Sequence, residues 1–180
     1  MGLIVASVML FLVSGTHHAP PVQEGATIKT ATQAINKDID SKRDFSITKR
    51  EIKCLEKNLW HEARGENLYG LMAVAKTTLN RARMEGWPPD VCKVVYQKGQ
   101  YSWTLKSKKN QQIKLKNNID KQSYTLVQLA TQLSITAEML QIDFMNGATY
   151  YHTTSVNPVW GRKMEVVGVI GDHIFKKDKG

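Results

Sequence analysis

Apolar residues recur every three or four positions in the segment that follows residue 47. This spacing is typical of one stripe of an amphipathic α-helix with 3.6 residues per turn. Its members are Ile52, Leu55, Leu59 and Ala63. Thr48 followed by Glu51 three residues later has the pattern of a capping box, which marks a helix start. We therefore predict a first helix that begins near residue 48 and runs to about residue 64.

The same periodicity predicts further helices downstream. A second helix is expected over residues 69–84, with an apolar face that consists of Met72, Ala75, Leu79 and Ala82. The order Pro-Pro-Asp at residues 88–90 favours the start of a short helix that runs to about residue 97. Two more helices are expected at residues 121–133 and 137–145, with the second ended by Asn146 and Gly147.

The pattern changes over the last thirty residues. Residues 148–153 and 164–170 favour strands, and Gly161 and Gly171 mark turns. The chain is therefore predicted to be an α+β protein, mainly helical with a small antiparallel β-sheet. At 180 residues it has enough apolar content for one hydrophobic core.

The N-terminus has a separate character. Residues 3–13 are apolar and uncharged, but this run is short for a membrane-spanning helix, which needs about 20 residues. Its length suits the apolar core of a secretory signal. We predict a signal peptide or signal anchor at residues 1–15, a polar linker or arm at 16–46 and a catalytic domain at 47–180. The protein would then be exported to the periplasm or cell wall, and a signal anchor would engage the membrane.

The net charge of +9 favours a polyanionic partner such as nucleic acid, an anionic membrane or a cell wall. Most of the excess lies between Lys98 and Lys121, and the alternative is that this stretch is a solvated loop. Residues 105–123 contain no aromatic side chain, which argues against a platform for stacking nucleic-acid bases.

Cys54 and Cys92 are the two cysteines of the chain, and each falls in a predicted helix. They are either two buried free thiols or, if the protein is exported, a disulfide that closes a long loop. Their spacing is not that of a zinc knuckle.

The segment Trp60-His61-Glu62-Ala63-Arg64-Gly65-Glu66 carries the candidate chemistry. It places two carboxylates, Glu62 and Glu66, four residues apart at the end of the first predicted helix. A carboxyl group held on a rigid helix beside Trp60 suits general acid–base catalysis on a glycosidic oxygen. The alternative is a charged, solvated helix end.

An ordered series of motifs extends this segment through the rest of the chain. The motifs occupy residues 60–66, 67–75, 78–81, 87–92, 94–103, 147–152, 158–160 and 170–175. In this order they closely resemble the SleB-type cell-wall hydrolases, found among spore-cortex-lytic enzymes and bacteriophage lysis proteins. The resemblance covers about residues 50–175.

The resemblance implies a lysozyme-like domain that acts on peptidoglycan glycan strands. It implies a lytic transglycosylase or muramidase that cleaves the MurNAc–GlcNAc bond with a single catalytic Glu and no cofactor, in an endolysin or another wall-lytic enzyme. Glu62 is the predicted catalytic residue. Glu66 is the second candidate, since a two-carboxylate mechanism would need it; its alternative role is to pair with Arg64 or to hold the following turn. We expect a monomer with no nucleic-acid partner.

Two groups of residues are predicted to contact the glycan: the first resembles the cluster that lines the glycan groove in this family, and the second repeats its chemistry. Flat aromatic rings match the apolar face of a sugar, and polar side chains bond its hydroxyl groups. The two groups are Gln100, Tyr101, Ser102 and Trp103, and, on the strand-rich side, Tyr151, His152 and Trp160. Tyr101 and Trp103 have an alternative role as core aromatics. A structural role is also expected for His173.

Two other functions remain open. The first is a zinc-dependent N-acetylmuramoyl-L-alanine amidase, with His61, Glu62, His152 and His173 as candidate ligands. The HExxH pattern is absent, and adjacent helical residues such as His61 and Glu62 point about 100° apart, so we predict no metal site. The second is a non-catalytic basic protein that binds the wall or nucleic acid, whose binding would weaken steeply with salt.

Overall fold

Four α-helices precede a three-stranded sheet in the computed structural model, which describes residues 46–179. The helices are α1 (Lys49–Ala63), α2 (Leu68–Arg83), α3 (Val91–Val95) and α4 (Asn118–Met139), and the strands are β1 (Tyr150–Thr153), β2 (Glu165–Ile170) and β3 (His173–Lys177). Two 3₁₀-helices cover Ser102–Leu105 and Val159–Lys163. The predicted signal segment at 1–15 and residues 16–45 of the predicted arm lie outside the described residues.

Helix α1 begins with the predicted capping box. The Thr48 hydroxyl accepts a hydrogen bond from the Glu51 amide (3.2 Å), and the Glu51 carboxylate accepts one from the Thr48 amide (3.0 Å). The apolar stripe of the helix faces the core, where Leu55, Leu59 and Ala63 are buried. Burial of this stripe is the main force that holds α1 against α2 and α4.

Helix α2 starts at Leu68, one residue earlier than predicted, because the Asn67 side chain caps it by accepting a hydrogen bond from the Gly70 amide (3.0 Å). This helix is buried on most of its faces. It contacts α1, α3 and α4 and also reaches β1 and β2, so it is the central helix of the domain.

The prediction of two helices at residues 121–133 and 137–145 is wrong, because α4 is one continuous helix. Residues 134–136 contain neither Gly nor Pro, and Ser134, Ile135 and Ala137 are buried against the rest of the domain, so packing carries the helix through this segment. The chain turns instead at Gln141, whose φ is +58°.

Nowhere in residues 46–179 does a helix combine the length and the hydropathy needed to cross a membrane.

The sheet has the strand order β1–β3–β2, and both pairings are antiparallel. Both predicted strand segments are present, as β1 and β2. Strand β3, which lies between them, was not predicted. In the pairing of β1 with β3, Tyr151 lies opposite Phe175. The α+β class with a small antiparallel sheet is confirmed.

Cys54 and Cys92 form a disulfide with a Cα–Cα distance of 5.2 Å. Of the two alternatives open at the sequence level, the structure has the disulfide. It joins α1 to α3, whose start is capped by the Asp90 side chain through the Lys93 amide (2.8 Å). The Glu51 carboxylate of the capping box also accepts a hydrogen bond from the Val91 amide (3.1 Å), which adds a second link between these helices.

Candidate active site

Glu62 lies in the last turn of α1 with its side chain partly buried. Its Oε2 accepts a hydrogen bond from the Tyr151 hydroxyl at 3.2 Å. Burial raises the pKa of Glu62, while the Tyr151 hydrogen bond and the positive charges of Arg81 and Lys106 act in the opposite direction without cancelling the rise. A carboxyl group in these surroundings retains its proton to a higher pH than a solvated one, as a general acid requires.

Tyr151 reaches Glu62 from strand β1. Its ring packs against Phe175 (5.7 Å between centroids) and edge-on against His173 (5.3 Å), both on β3. Burial raises the pKa of Tyr151 well above its usual value, so its hydroxyl keeps its proton and donates to Glu62.

A chain of hydrogen bonds runs through the core between α1, α2 and the segment that follows α3. The Trp103 indole donates to Asn58 Oδ1 (3.2 Å), and the Asn58 amide donates to Thr78 Oγ1 (3.3 Å). The Thr78 hydroxyl lies 3.3 Å from the Tyr101 hydroxyl, which accepts a hydrogen bond from Arg81 Nη1 (3.0 Å). Tyr101 and Trp103 are both buried, as in the alternative that treats them as core aromatics. Their neighbours Gln100 and Ser102 reach the surface.

Arg81 is a buried cation beside the site. Its Nε donates to the Thr149 carbonyl (2.5 Å), and its guanidinium lies over the Trp87 ring, 4.7 Å from the centroid. Among the ion pairs of residues 46–179, none involves Arg81. Its charge therefore acts on the groups around it, including Glu62.

Glu66 connects the corner between α1 and α2 to the turn between β2 and β3. Its Oε1 accepts a hydrogen bond from the Asp172 amide (3.1 Å) and lies 3.2 Å from His173 Nδ1. Glu66 thus bonds an amide far along the chain and not one in the turn that follows it, which its alternative role predicts. Arg64, the other partner predicted for Glu66 in that role, has its guanidinium over the Trp60 ring, 5.1 Å from the centroid. Gly171, with φ at +56°, passes so close to Glu66 that a Cβ there would collide with the carboxylate.

His152 and Trp160 belong to a different group of rings. Side chains alternate across a strand, so His152 points to the sheet face opposite Tyr151. There it contacts Trp160 (5.8 Å), which also contacts Tyr150 (5.8 Å), and Tyr150 contacts Trp87 (5.9 Å). We call Trp87, Tyr150, His152 and Trp160 the outer aromatic cluster. Sequence reasoning did not select Trp87, although it lies in one of the motifs.

The four candidate zinc ligands do not converge. His61 stacks on Trp103 (4.5 Å between centroids), and its Nε2 lies 3.2 Å from the Gln111 carbonyl. His173 is held beside Glu66, and His152 lies on the opposite sheet face. Within residues 46–179, no three His, Cys, Asp or Glu side chains come together as a metal site.

Comparison with known proteins identifies the family and the fold. A family model described as cell wall hydrolase matches residues 65–176. The fold is similar to the catalytic domain of the SleB protein of Bacillus cereus, at 24% identity and a TM-score of 0.59, over 73% of this chain and 93% of that one. It is also similar to the catalytic domain of the germination-specific lytic transglycosylase SleB from Bacillus anthracis, at 24% identity and a TM-score of 0.58, over 73% of this chain and 98% of that one. No curated protein sequence matches. Because the family model spans more than half of the chain, this protein belongs to the cell wall hydrolase family.

Proposed function

We propose that this protein is a lytic transglycosylase that cleaves the MurNAc–GlcNAc bond of peptidoglycan, with Glu62 as the catalytic residue. The observation that carries the proposal is the partly buried Glu62 carboxyl at the end of α1, whose pKa is raised by burial and which accepts a hydrogen bond from Tyr151. The activity in the name of the Bacillus anthracis relative supports the same reaction.

The proposed reaction needs one carboxyl group. Protonated Glu62 donates its proton to the glycosidic oxygen as the bond to the muramic acid breaks. The resulting carboxylate then takes the proton of the 6-hydroxyl of the same muramic acid, whose oxygen attacks the anomeric carbon and closes a 1,6-anhydro ring. Glu62 ends protonated as it began, and no water is consumed. The Tyr151 hydroxyl and the Arg81 charge stabilise the carboxylate between these two steps.

We further propose that glycan strands contact the surface side chains of Gln100 and Ser102, next to the buried Tyr101 and Trp103. The outer aromatic cluster offers a second sugar-binding surface, since Trp160 is 47% exposed. We assign Glu66 to positioning: its contact with Asp172 fixes the turn between β2 and β3, which precedes the strand that supports Tyr151.

In this proposal the enzyme acts outside the cytoplasm as a monomer. Residues 1–15 would direct export as a signal peptide or signal anchor, and residues 16–46 would tether the catalytic domain. The combination of a short export signal with wall-lytic chemistry fits a phage endolysin that lyses its host.

The test is mass spectrometry of the soluble products after digestion of purified peptidoglycan by the wild type and by Glu62→Gln. We expect anhydro-muramyl ends from the wild type and none from Glu62→Gln. Glu85→Gln, which changes an exposed carboxylate elsewhere, serves as the control and should retain activity. Reducing muramyl ends from the wild type would instead indicate a hydrolase, and stem peptides released in a chelator-sensitive reaction would indicate the amidase.

A further inference from the structure

A basic pocket lies between the end of α1 and the lysine-rich segment before α4. It has a volume of about 260 Å³. Among its lining residues are His61, Arg64, Lys106, Lys114, Lys116 and Asp120. Neither the family match nor the proposed reaction assigns a ligand to this pocket.

The pocket has four cationic residues and one carboxylate. Asp120 is already engaged, because its Oδ2 accepts a hydrogen bond from the Lys116 amide (2.8 Å). The Lys114 ammonium lies 3.5 Å from a neutral acceptor, Asn110 Oδ1. None of the ion pairs within residues 46–179 includes Arg64, Lys106, Lys114 or Lys116. The pocket is therefore a concentration of positive charge that an anionic ligand would neutralise.

The lysine-rich segment is held against α1 by specific contacts. The Gln111 carbonyl lies 3.2 Å from His61 Nε2, and the Gln111 side chain donates to the carbonyls of Thr104 (2.9 Å) and Lys106 (2.7 Å). Burial, together with the nearby cations, lowers the pKa of His61 against the opposing effect of its contact with the Gln111 carbonyl, so the neutral form of this ring is favoured. The charge of the pocket thus comes from the lysines and Arg64, and their positions are set by the path of this segment.

The pocket adjoins the proposed catalytic residue. His61 precedes Glu62 in the last turn of α1, Arg64 is the C-cap of that helix, and the pocket residue Lys106 is close enough to act on the pKa of Glu62. Successive helical residues point about 100° apart. Glu62 therefore faces Tyr151 while its neighbours line the pocket. In peptidoglycan, the muramic acid at the cleaved bond carries the stem peptide, and the free carboxylates of that peptide are its anionic groups.

We propose that the basic pocket binds a carboxylate of the stem peptide carried by the muramic acid at the cleavage site. This inference rests on the proposed function, because it takes Glu62 to act at that sugar. The pocket gives the enzyme a preference for glycan strands whose stem peptides are negatively charged. Phosphate groups of wall polymers share the anionic chemistry, but they are not attached to the sugar that must reach Glu62.

The test compares two matched double variants. Lys114→Gln/Lys116→Gln removes two charges from the pocket, and Lys108→Gln/Lys109→Gln removes two from the same segment outside it. Each is combined with Glu62→Gln, so that binding to insoluble peptidoglycan can be measured by cosedimentation without cleavage. The probes are peptidoglycan stripped of phosphate polymers, the same material with its stem carboxylates converted to amides, and unstripped wall.

We expect the pocket variant to bind stripped peptidoglycan about three- to tenfold more weakly than its Glu62→Gln parent, as the loss of two partly exposed ion pairs implies. Amidation should weaken the parent at least as much, and it should weaken the pocket variant less than the parent, because only Arg64 and Lys106 remain there. Lys108→Gln/Lys109→Gln should behave as the parent. Equal binding by both variants, or a difference confined to unstripped wall, would overturn the proposal. Since this readout needs no catalysis, a failure of the pocket is distinct from a failure of the proposed reaction, which the product analysis reports.

Discussion

Two adjacent residues at the end of α1 have opposite surroundings. Burial raises the pKa of Glu62, which points to Tyr151, and lowers the pKa of His61, which stacks on Trp103. Both shifts favour the neutral form of the side chain, so burial narrows the pH range in which each of these two groups is charged.

The Tyr151 hydroxyl should set the upper pH limit of activity. Tyr151→Phe removes the hydrogen bond that stabilises the Glu62 carboxylate, so the pKa of Glu62 rises further and the carboxyl stays protonated to a higher pH. We expect the alkaline limb of the rate profile on peptidoglycan to move to higher pH. The measurement is initial rate against pH.

Tyr150→Phe is the matched control, because Tyr150 lies on the same strand and points to the opposite face of the sheet. Its profile should keep the wild-type alkaline limb. A Tyr151→Phe profile that coincides with the wild type, or moves to lower pH, would contradict the role of this hydrogen bond.

At this scale the sequence offers candidate residues but not their partners, and the roles of these residues remain predictions. Glu62 was selected from its place at the end of an amphipathic helix together with the family resemblance, and Tyr151 because an aromatic ring can contact a sugar. Their contact joins positions 89 residues apart, which depends on how β1 packs against α1. Tyr151 and His152 must point to opposite faces of the sheet because side chains alternate along a strand. Which of the two points to Glu62 can be assigned only once the core-facing side of the strand is known.

Among the elements, α1 and α3 depend on their disulfide. The bond closes a loop of 38 residues, for which chain entropy alone gives about 4 kcal/mol of stabilisation. We expect Cys54→Ala/Cys92→Ala to lose about 2–4 kcal/mol of unfolding free energy, measured by chemical denaturation. The wild type under reducing conditions should lose a similar amount, and a double variant as stable as the oxidised wild type would refute this.

Activity gives a second readout for the same variant. Cys54 lies eight residues before Glu62, about 12 Å along the helix, so the disulfide supports the fold and not the chemistry. Below its unfolding temperature the double variant should retain its rate on peptidoglycan. A large loss of rate in the folded variant would show that the bond also positions Glu62.

The elements themselves could be predicted where the local signals agree. The capping box and the apolar stripe gave α1 to within a residue or two. The break proposed near residue 135 was wrong because packing against α2 carries α4 through Ser134, whose hydroxyl lies 3.5 Å from the Met72 carbonyl. Strand β3 was missed because it follows directly after a turn. It is also the central strand, paired along both edges, and its residues do not alternate between buried and exposed.

For the whole molecule, the α+β class and the cell wall hydrolase family were both predicted correctly from the sequence. The ordered motifs indicated the family, and helical periodicity followed by strand-favouring residues with turn glycines indicated the class. The assignments of residues 1–15 and 16–46 remain predictions. The basic pocket was not foreseen, because a run of lysines gives no sign of whether their side chains converge.

The unfolding free energy of the domain should be lowered at high pH by the burial of the Glu62 carboxylate. Because the pKa of Glu62 is raised on folding, its contribution to stability is fully present below its unfolded pKa and is lost as pH rises through its folded pKa. Glu62→Gln has no charge to bury, so we expect its Tm to exceed that of the wild type by a few degrees at pH 8. The excess should vanish near pH 4. Thermal unfolding across this range is the measurement, and an excess that is independent of pH would contradict the burial of charge as its cause.

The contact between Glu66 and Asp172 has a consequence for the order in which the protein assembles. It spans 106 positions, and Tyr151 likewise comes from the last thirty residues. Contacts of such high sequence separation form only after a large loss of loop entropy, so they belong to the late stages of folding. A chain that still lacks β2 and β3 lacks both Asp172 and the strand that supports Tyr151, so we expect its proposed site to be incomplete even where its helices form. We therefore expect lytic activity to appear only once the last thirty residues of the domain have been added.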